Sequence, residues 1–150
     1  MSRLYPERPI VGVGAVIWRG DQLLLIRRGK PPRVGQWSLP GGAQQLGETL
    51  NEAIIREVRE ETSLEMTDLR LLTTVDLIER ESDGRVRYHY TLVDFTAEAL
   101  HGEPMAGDDA EAVGWFAPSE LPVLGLWSET VRIVEEAATA RRRPLAGPTY

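Results

Sequence analysis

The sequence predicts an α+β domain in which helices pack on the faces of a mixed β-sheet. Three observations lead to this fold class: a length of 150 residues, segments in which apolar residues recur with period two, and two segments with helical periodicity. A chain of this length forms one core and has no room for two. Strands interspersed with helices give a sheet with helices on its faces. We place the single domain at residues 1–140 and a flexible tail at 141–150.

The predicted strands follow a polar lead-in at residues 1–9. Alternation predicts a first strand that ends near Trp18, on the apolar residues Val11, Val13, Ala15 and Ile17. A turn at Gly20 then separates it from the apolar run at residues 23–26, which is typical of a buried strand. Further strands are predicted at residues 37–39, 69–78, 86–95 and 112–116. The segments at residues 29–35 and 102–107 are predicted as loops, and Gly41-Gly42 is predicted to lie in a turn.

Two helices are predicted, with one further helical turn at residues 119–121. The first runs from Thr49 to about Thr62, because Thr49 and Glu52 have the spacing of a capping box. The second covers residues 128–140, where the apolar side chains of Val131, Val134 and Ala138 recur at helical spacing.

Composition and charge exclude several function classes. The 17 basic and 23 acidic residues give a formal net charge of −6, which argues against a long nucleic acid as a partner. The absence of cysteine excludes disulfides, thiolate metal sites and a cysteine nucleophile. No apolar run is long enough to span a bilayer, and residues 1–9 lack a secretory pattern. We therefore expect a cytoplasmic protein without a membrane partner.

The first helix carries an unusual apolar stripe. Leu50, Ala53 and Ile54 share one face, and the same stripe continues through three carboxylates, Glu57, Glu60 and Glu61. Burying such charges unpaired would cost several kcal/mol each by rough estimate. Two arrangements relieve the conflict: the carboxylates are solvated, or they bind hard cations such as Mg²⁺ or Mn²⁺.

The segment before the helix favours the cation site. Gly41-Gly42 permits close approach of the backbone to a ligand and offers a carbonyl oxygen. Glu48 stands at the start of the helix and can reach the same region. Arg56 precedes Glu57 and is placed to hold a neighbouring carboxylate in position.

These residues resemble a known motif, the Nudix box, written G-x5-E-x7-R-E-U-x-E-E-x-G-U with U aliphatic. The match runs from Gly42 through Glu48 to Leu64, and one fixed position differs, because Ser63 stands where the family has glycine. That glycine lies just past the helix end, where a left-handed conformation is common. Serine there would cost on the order of 1 kcal/mol of backbone strain or shift the helix end.

The resemblance implies the Nudix α/β/α sandwich with a mixed sheet, together with a set of site residues. The metal ligands it implies are Glu57, Glu60, Glu61 and the carbonyl of Gly42 or Gly41, with Glu48 and Arg56 supporting them. The cofactor is expected to be Mg²⁺, with Mn²⁺ as a second possibility. The implied reaction is attack of a metal-activated water on a diphosphate phosphorus, with stabilisation of the leaving oxygen.

The same resemblance leaves two alternatives for the general base. Some family members use a glutamate of the box, here Glu57 or Glu60, and others use a glutamate in a late loop. The late acidic segment here offers Asp108, Asp109 and Glu111, and Glu111 is our first choice by its spacing to Trp115, with Asp109 second. Substrate-binding candidates are Arg28, for phosphate, and Trp37, for a base, although Trp37 also suits a packing role.

For substrate, the chain is similar to the ADP-ribose pyrophosphatase-like branch, so a small nucleoside diphosphate derivative is expected. The alternatives are a nucleoside triphosphate pyrophosphohydrolase that also takes oxidised nucleotides, an RNA-end pyrophosphohydrolase, and a module that binds nucleotides without catalysis. The retained Glu57, Glu60 and Glu61 argue against the last. The apolar segment at residues 121–127 is a candidate homodimer contact.

Overall fold

The computed structural model describes residues 3–30, 33–107 and 109–143, and a seven-stranded mixed sheet forms its centre. The strands are β1 (Ile10–Arg19), β2 (Gln22–Arg28), β3 (Trp37–Ser38), β4 (Gly41–Ala43), β5 (Met66–Arg80), β6 (Val86–Ala99) and β7 (Ala110–Phe116). The α-helices are α1 (Leu50–Thr62) and α2 (Ser128–Ala140), and Pro118–Leu124 forms a 3-10 helix. The predicted mixed sheet with helices on its faces is confirmed.

Strand β1 organises the sheet. The main path runs β3-β2-β1-β6-β5, and β1 pairs with β6 in parallel while its other neighbours are antiparallel. On its other edge, β1 pairs with β4 near its start, where Val13 faces Gly42, and with β2 at its end, where Trp18 faces Leu23. Strand β7 pairs with β2. The short strand β4 is therefore held against the first half of β1.

Alternation along the strands sends side chains to two separate apolar clusters. On the face covered by α1, Ala15 and Ile17 of β1 pack with Ala53, Ile54 and Val58 of the helix. On the opposite face, the core cluster includes the β1 residues Val16 and Trp18 and the α2 residues Ile133, Val134 and Ala137. These two clusters fix the two helices on opposite faces of one sheet.

The structure differs from the sequence prediction in three local respects. Gly41-Gly42 belongs to a strand rather than the predicted turn, because the pair hydrogen-bonds with β1. Strands β5 and β6 are longer than predicted, since they pair with each other from Met66↔Ala99 to Arg80↔Val86. The buried stripe of α2 is centred on Ile133, Val134 and Ala137, whereas Val131 and Ala138 are only half-buried.

Arg141, which the sequence analysis placed in a tail, is held by several contacts. Its Nη2 lies 2.5 Å from Glu98 Oε1, its Nη1 donates to the Gly20 carbonyl at 2.7 Å, and its guanidinium lies 4.5 Å from the Trp18 ring centroid. Residues 144–150 of the expected tail lie outside the described residues. Among the helices that are described, none is long and apolar enough to cross a membrane.

Candidate active site

The site is built on α1, whose start is fixed by its first side chains. The Glu52 N–H donates to Thr49 Oγ1 at 3.1 Å, and the Thr49 N–H donates to Glu52 Oε1 at 3.1 Å. This is the predicted capping box, in which two otherwise unpaired backbone donors are satisfied. It fixes the residue at which the helix begins.

The end of α1 is set by Ser63. Its φ of 62° and ψ of 12° are left-handed, and its N–H donates to the Arg59 carbonyl at 3.0 Å. The conformation is therefore the one for which glycine is preferred, and serine adopts it at a cost in backbone strain. The helix ends at Thr62 as predicted, so the departure from the box motif does not displace its end.

The three helix carboxylates occupy different environments. Glu61 is buried, with 9% of its surface exposed, and the Glu57 side chain is 14% exposed. The Glu60 side chain is 58% exposed and lies on the flank of the helix. The apolar stripe of α1 thus continues into Glu57 and Glu61, whereas Glu60, which the sequence also placed on the stripe, is exposed beside them.

Strand β4 lies directly beneath Glu57. A Cβ built on Gly42 would stand 2.5 Å from both Cδ and Oε1 of Glu57, so any side chain at position 42 would displace that carboxylate. At Gly41 a Cβ would stand 2.0 Å from the Val13 carbonyl oxygen. Gly41 is therefore required by the close approach of β4 to the backbone of β1, and Gly42 leaves the space that the Glu57 carboxylate occupies.

Glu61 has the most perturbed acidity in the site. The pKa of its carboxyl is raised to about 8, because burial first, and then the charge of Glu57 and a hydrogen bond with Glu57, raise it more than the Gly41 N–H and Arg28 lower it. Its Oε2 is buried and has no hydrogen-bond partner among the described residues. Two acidic side chains in contact, one with an unused oxygen, form a site whose charge a cation would balance.

Arg56 connects the acidic side chains to the backbone. Its Nε and Nη2 donate to the two oxygens of Glu48 at 2.6 and 2.9 Å, and its Nη1 donates to Glu57 at 2.8 Å and to Glu60 at 3.2 Å. Nη2 also donates to the Ala43 carbonyl at 3.0 Å. The hydrogen bond with Glu48 is the largest contribution that raises the pKa of Arg56, and the same bond lowers the pKa of Glu48. The guanidinium therefore fixes Glu57 relative to β4.

The structure does not bring a complete metal-ligand set together. Within residues 3–30, 33–107 and 109–143, no three His, Asp or Glu side chains converge on one cation position. Glu60 accounts for the gap, because its carboxylate turns outward to Arg56. Two adjoining carboxylates, Glu57 and Glu61, are nevertheless in place, and one oxygen of Glu61 is unused. These donors fit a hard dication that prefers oxygen ligands.

The candidate bases of the late acidic segment are ion-paired with basic residues of β2 and the loop that follows it. Glu111 Oε2 accepts from Arg27 Nε at 3.1 Å, and Asp109 Oδ1 lies 2.5 Å from Lys30 Nζ. Both acidic side chains are exposed. Asp108 lies outside the described residues. The described hydrogen bonds and ion pairs therefore link Asp109 and Glu111 to basic residues and not to the α1 carboxylates.

The two substrate-binding candidates lie on different sides of the sheet. Arg28 acts electrostatically on Glu61, which places its charge on the α1 side. Trp37 packs against the cluster on the α2 side, with its ring centroid 4.9 Å from that of Phe116 and 5.6 Å from the Arg27 guanidinium. The packing role that the sequence allowed for Trp37 is thus present in the structure.

The sequence gives no sign of the way in which the segment between β6 and β7 reaches α1. The Met105 N–H donates to the Thr62 carbonyl and the Gly107 N–H donates to the Glu61 carbonyl, both at 2.9 Å. No motif signals such contacts, because they use backbone groups that every sequence offers. Gly107 was interpreted only as part of a loop.

The geometry can be compared with known proteins. The NUDIX domain profile matches residues 8–137. The chain is 36% identical over 129 residues to the ADP-ribose pyrophosphatase of Methanocaldococcus jannaschii, covering 86% of this chain and 73% of that protein. A Mycobacterium tuberculosis protein with the provisional name 8-oxo-dGTP diphosphatase 2 is 37% identical over 113 residues, covering 75% of each chain. The crystal structure of a MutT NUDIX hydrolase from Burkholderia pseudomallei superposes with a TM-score of 0.75 at 36% identity, covering 87% of this chain and 98% of that one.

Proposed function

The chain belongs to the Nudix family and is a Nudix pyrophosphohydrolase, and from this premise we propose that it hydrolyses an ADP-ribose-like nucleoside diphosphate derivative with Mg²⁺. Members of the family act on small nucleotides and generally use divalent cations. The observation that carries the proposal is the contact between the buried Glu61 and the half-buried Glu57 beside Gly42, with one carboxyl oxygen of Glu61 unused.

Glu57, Glu60 and Glu61 would hold the cation, with the carbonyl of Gly42 or Gly41 as a further oxygen donor. Glu57 and Glu61 are already side by side, while Glu60 has to turn from Arg56 toward them. When bound, the cation supplies Lewis acidity that polarises a phosphate oxygen and lowers the pKa of a water molecule. Mg²⁺ is proposed because all the available donors are oxygen atoms, and Mn²⁺ would be accepted by the same set.

Arg56 and Glu48 orient this set. Arg56 makes hydrogen bonds to Glu48, to Glu57 and to the Ala43 carbonyl, so it ties the helix to β4. Its hydrogen bond and positive charge also lower the pKa of Glu48. Arg28 acts on the same side of the sheet, and we propose that it binds a phosphate of the substrate.

The base that takes the proton from water is proposed to be Glu111, with Asp109 as the second choice and a box glutamate, Glu57 or Glu60, as the alternative. Glu111 and Asp109 are exposed and paired with Arg27 and Lys30. An anionic substrate that reaches those cations would compete for them and free the carboxylates. Trp37 is a weaker substrate contact, because its ring already packs on Phe116.

The substrate class is tested by product analysis with Mg²⁺ over a panel of ADP-ribose, other nucleotide sugars, dinucleotides, and ordinary and oxidised nucleoside triphosphates. We expect ADP-ribose to give AMP and ribose 5-phosphate fastest, in line with the relative named ADP-ribose pyrophosphatase. Fastest release of pyrophosphate from a triphosphate would favour the second candidate, which the relative named 8-oxo-dGTP diphosphatase supports. No turnover with Mg²⁺ or Mn²⁺ would favour a binding module and contradict the proposal.

A further inference from the structure

The loop between β6 and β7 is attached to the C-terminal end of the catalytic helix through its backbone. The Leu100 N–H donates to the Glu65 carbonyl, the Met105 N–H to Thr62 and the Gly107 N–H to Glu61, each at 2.9 Å. The last carbonyls of a helix have no partner within the helix, so the loop satisfies two of them. The loop is thereby attached to the turn of α1 that carries Glu60 and Glu61.

Gly107 lies against the peptide group that joins Glu60 to Glu61. A Cβ built on it would stand 1.9 Å from the Glu60 carbonyl oxygen, 3.0 Å from the Glu60 carbonyl carbon and 3.1 Å from the Glu61 Cα. All three atoms belong to the backbone, so no side-chain rotation relieves the contact. Gly107 does not have a positive φ, so glycine is required for space and not for backbone conformation.

The residues that follow Gly107 lead directly to the candidate bases. The Ala110 N–H donates to the Gly107 carbonyl at 3.1 Å, and the Gly29 N–H donates to the Asp109 carbonyl at 3.1 Å. Residues 109–111, here called the acidic turn, are therefore held between the end of α1 on one side and the end of β2 on the other. Gly107 is the link on the α1 side.

We propose that Gly107 is a positioning residue that sets the acidic turn relative to the carboxylates of Glu60 and Glu61. This inference rests on the proposed function, because it gives the acidic turn a part in the hydrolysis. The backbone contact makes the distance between the two groups depend on the absence of a side chain at position 107. The exposed loop, and not the helix packed into the core, is the part that gives way when a side chain is added.

The test is Gly107→Ala, with Gly102→Ala as the matched control in the same loop. A Cβ on Gly102 meets nothing within 4 Å, although its φ of 113° makes alanine strained there. The control thus loses stability without a clash. Moving the loop by about 1 Å is enough to reduce kcat about 10- to 100-fold. We expect that loss in Gly107→Ala with KM and Mn²⁺ affinity near the wild-type values, and close to wild-type kcat in Gly102→Ala.

A double-mutant cycle separates positioning from a general loss of structure. If Gly107 acts through the acidic turn, combining Gly107→Ala with Glu111→Gln or Asp109→Asn lowers kcat little beyond the more damaging single variant. Multiplicative losses, or full activity of both acidic-turn variants, would overturn the inference. Should Gly107→Ala fail to fold, Met105→Pro removes the neighbouring N–H donor and is expected to lower kcat in the same way, and unchanged kcat there would overturn the inference.

The outcomes distinguish this inference from the proposed function. If the wild-type protein turns over substrate and Gly107→Ala has the same kcat, the positioning role alone is overturned. Absence of turnover in the wild-type protein across the substrate panel overturns the proposed function and this inference with it. Weakened Mn²⁺ binding in Gly107→Ala would show that the helix moves instead of the loop, which also contradicts the inference.

Discussion

The two faces of the sheet each bury one carboxyl group that, among the described residues, has an oxygen without a hydrogen-bond partner. Glu61 belongs to α1 on one face, and Asp94 of β6 lies on the α2 face, where Asp94 is 5% exposed. Burial is the largest cause that raises the pKa of each, to about 8 for Glu61 and to about 6 for Asp94. Judged by burial alone, the two groups would be equivalent.

Their neighbours make the difference. Glu61 adjoins a second carboxylate, Glu57, whose charge is the second largest cause of its raised pKa. Asp94 packs on Gly14 of β1, where a Cβ would meet its Oδ1 at 2.9 Å, and the charged groups that act on it are Arg132 and Glu136 of α2. Arg132 lowers the pKa of Asp94 and Glu136 raises it, so the two oppose each other. A cation site needs several carboxylates together, and burial of one is insufficient.

The largest effect is expected from the helix carboxylates. Glu61→Gln and Glu60→Gln each remove a proposed cation ligand with little change in shape, so turnover should fall by about 100-fold or more while the fold persists. Steady-state kinetics with Mg²⁺, together with circular dichroism, measures both. Glu65→Gln is the matched control, because Glu65 is exposed and paired with Arg59. Near-wild-type activity in both ligand variants would contradict the assignment.

A smaller loss is expected from Arg56→Lys. Lysine keeps the charge but not the planar fork that reaches Glu48, Glu57 and the Ala43 carbonyl together, so kcat should fall about 10- to 100-fold. Arg59→Lys serves as the control on the exposed side of the same helix. Equal kinetics of the two variants would show that Arg56 contributes charge and not geometry.

Asp94→Asn should change stability and leave activity intact. Because the pKa of Asp94 in the folded protein is about 6 and its ordinary value is 3.8, the native state holds the proton more tightly than the unfolded chain. The stability that the protonated carboxyl contributes is therefore fully present below about pH 4 and is lost as the pH rises through about 6. Above that pH the ionised carboxylate lowers the free energy of unfolding by up to about 3 kcal/mol. The asparagine variant should be more stable than wild type by about 1 to 3 kcal/mol at pH 8 and should gain little at pH 4.

Urea unfolding at the two pH values, with wild type and variant compared at each, measures this difference. The comparison is made between proteins at one pH because other carboxyl groups titrate in the same range. A stability difference that does not change with pH would contradict the account of Asp94.

The smallest effect is expected from Ser63→Gly. Glycine adopts the left-handed conformation at position 63 without steric cost, so the free energy of unfolding should rise by about 1 kcal/mol. The kinetic constants should not change, since Ser63 caps the helix and is not a proposed ligand. Thermal unfolding measures the gain, and a loss of stability would mean that the serine side chain makes an unrecognised stabilising contact.

The sequence predicted the parts of the molecule whose signals are local. The capping box at Thr49, the helix end at Thr62 and the continuation of the apolar stripe into Glu57 and Glu61 all depend on spacing within one segment. The pairing of Gly41-Gly42 with β1 and the full length of β5 and β6 depend on partners far away in the chain, and spacing does not report them. The roles of all the site residues stay predictions, those of Gly42, Arg56, Glu57, Glu60 and Glu61 as much as those of Glu48, Arg28, Trp37, Glu111 and Asp109.

Backbone contacts were the least accessible to sequence reasoning. The hydrogen bonds from the Met105 and Gly107 N–H groups to the end of α1 do not depend on side-chain type, so no residue pattern predicts them. In the sequence, Gly107 looks like any other loop glycine. Likewise the burial of Asp94 depends on its pairing with Gly14, which lies in a strand about eighty residues away along the chain. Such features emerge only when the sheet is assembled.

The most direct test of the account is Mn²⁺ binding, followed by electron paramagnetic resonance of the free ion, to wild type, Glu61→Gln and Asp94→Asn. Wild type and Asp94→Asn should bind the cation with similar affinity, and Glu61→Gln should bind at least about 10-fold more weakly. Equal binding by all three proteins would contradict the claim that the carboxylates of α1 form the cation site. Loss of binding in Asp94→Asn would also contradict it, because the cation would then bind on the α2 face of the sheet.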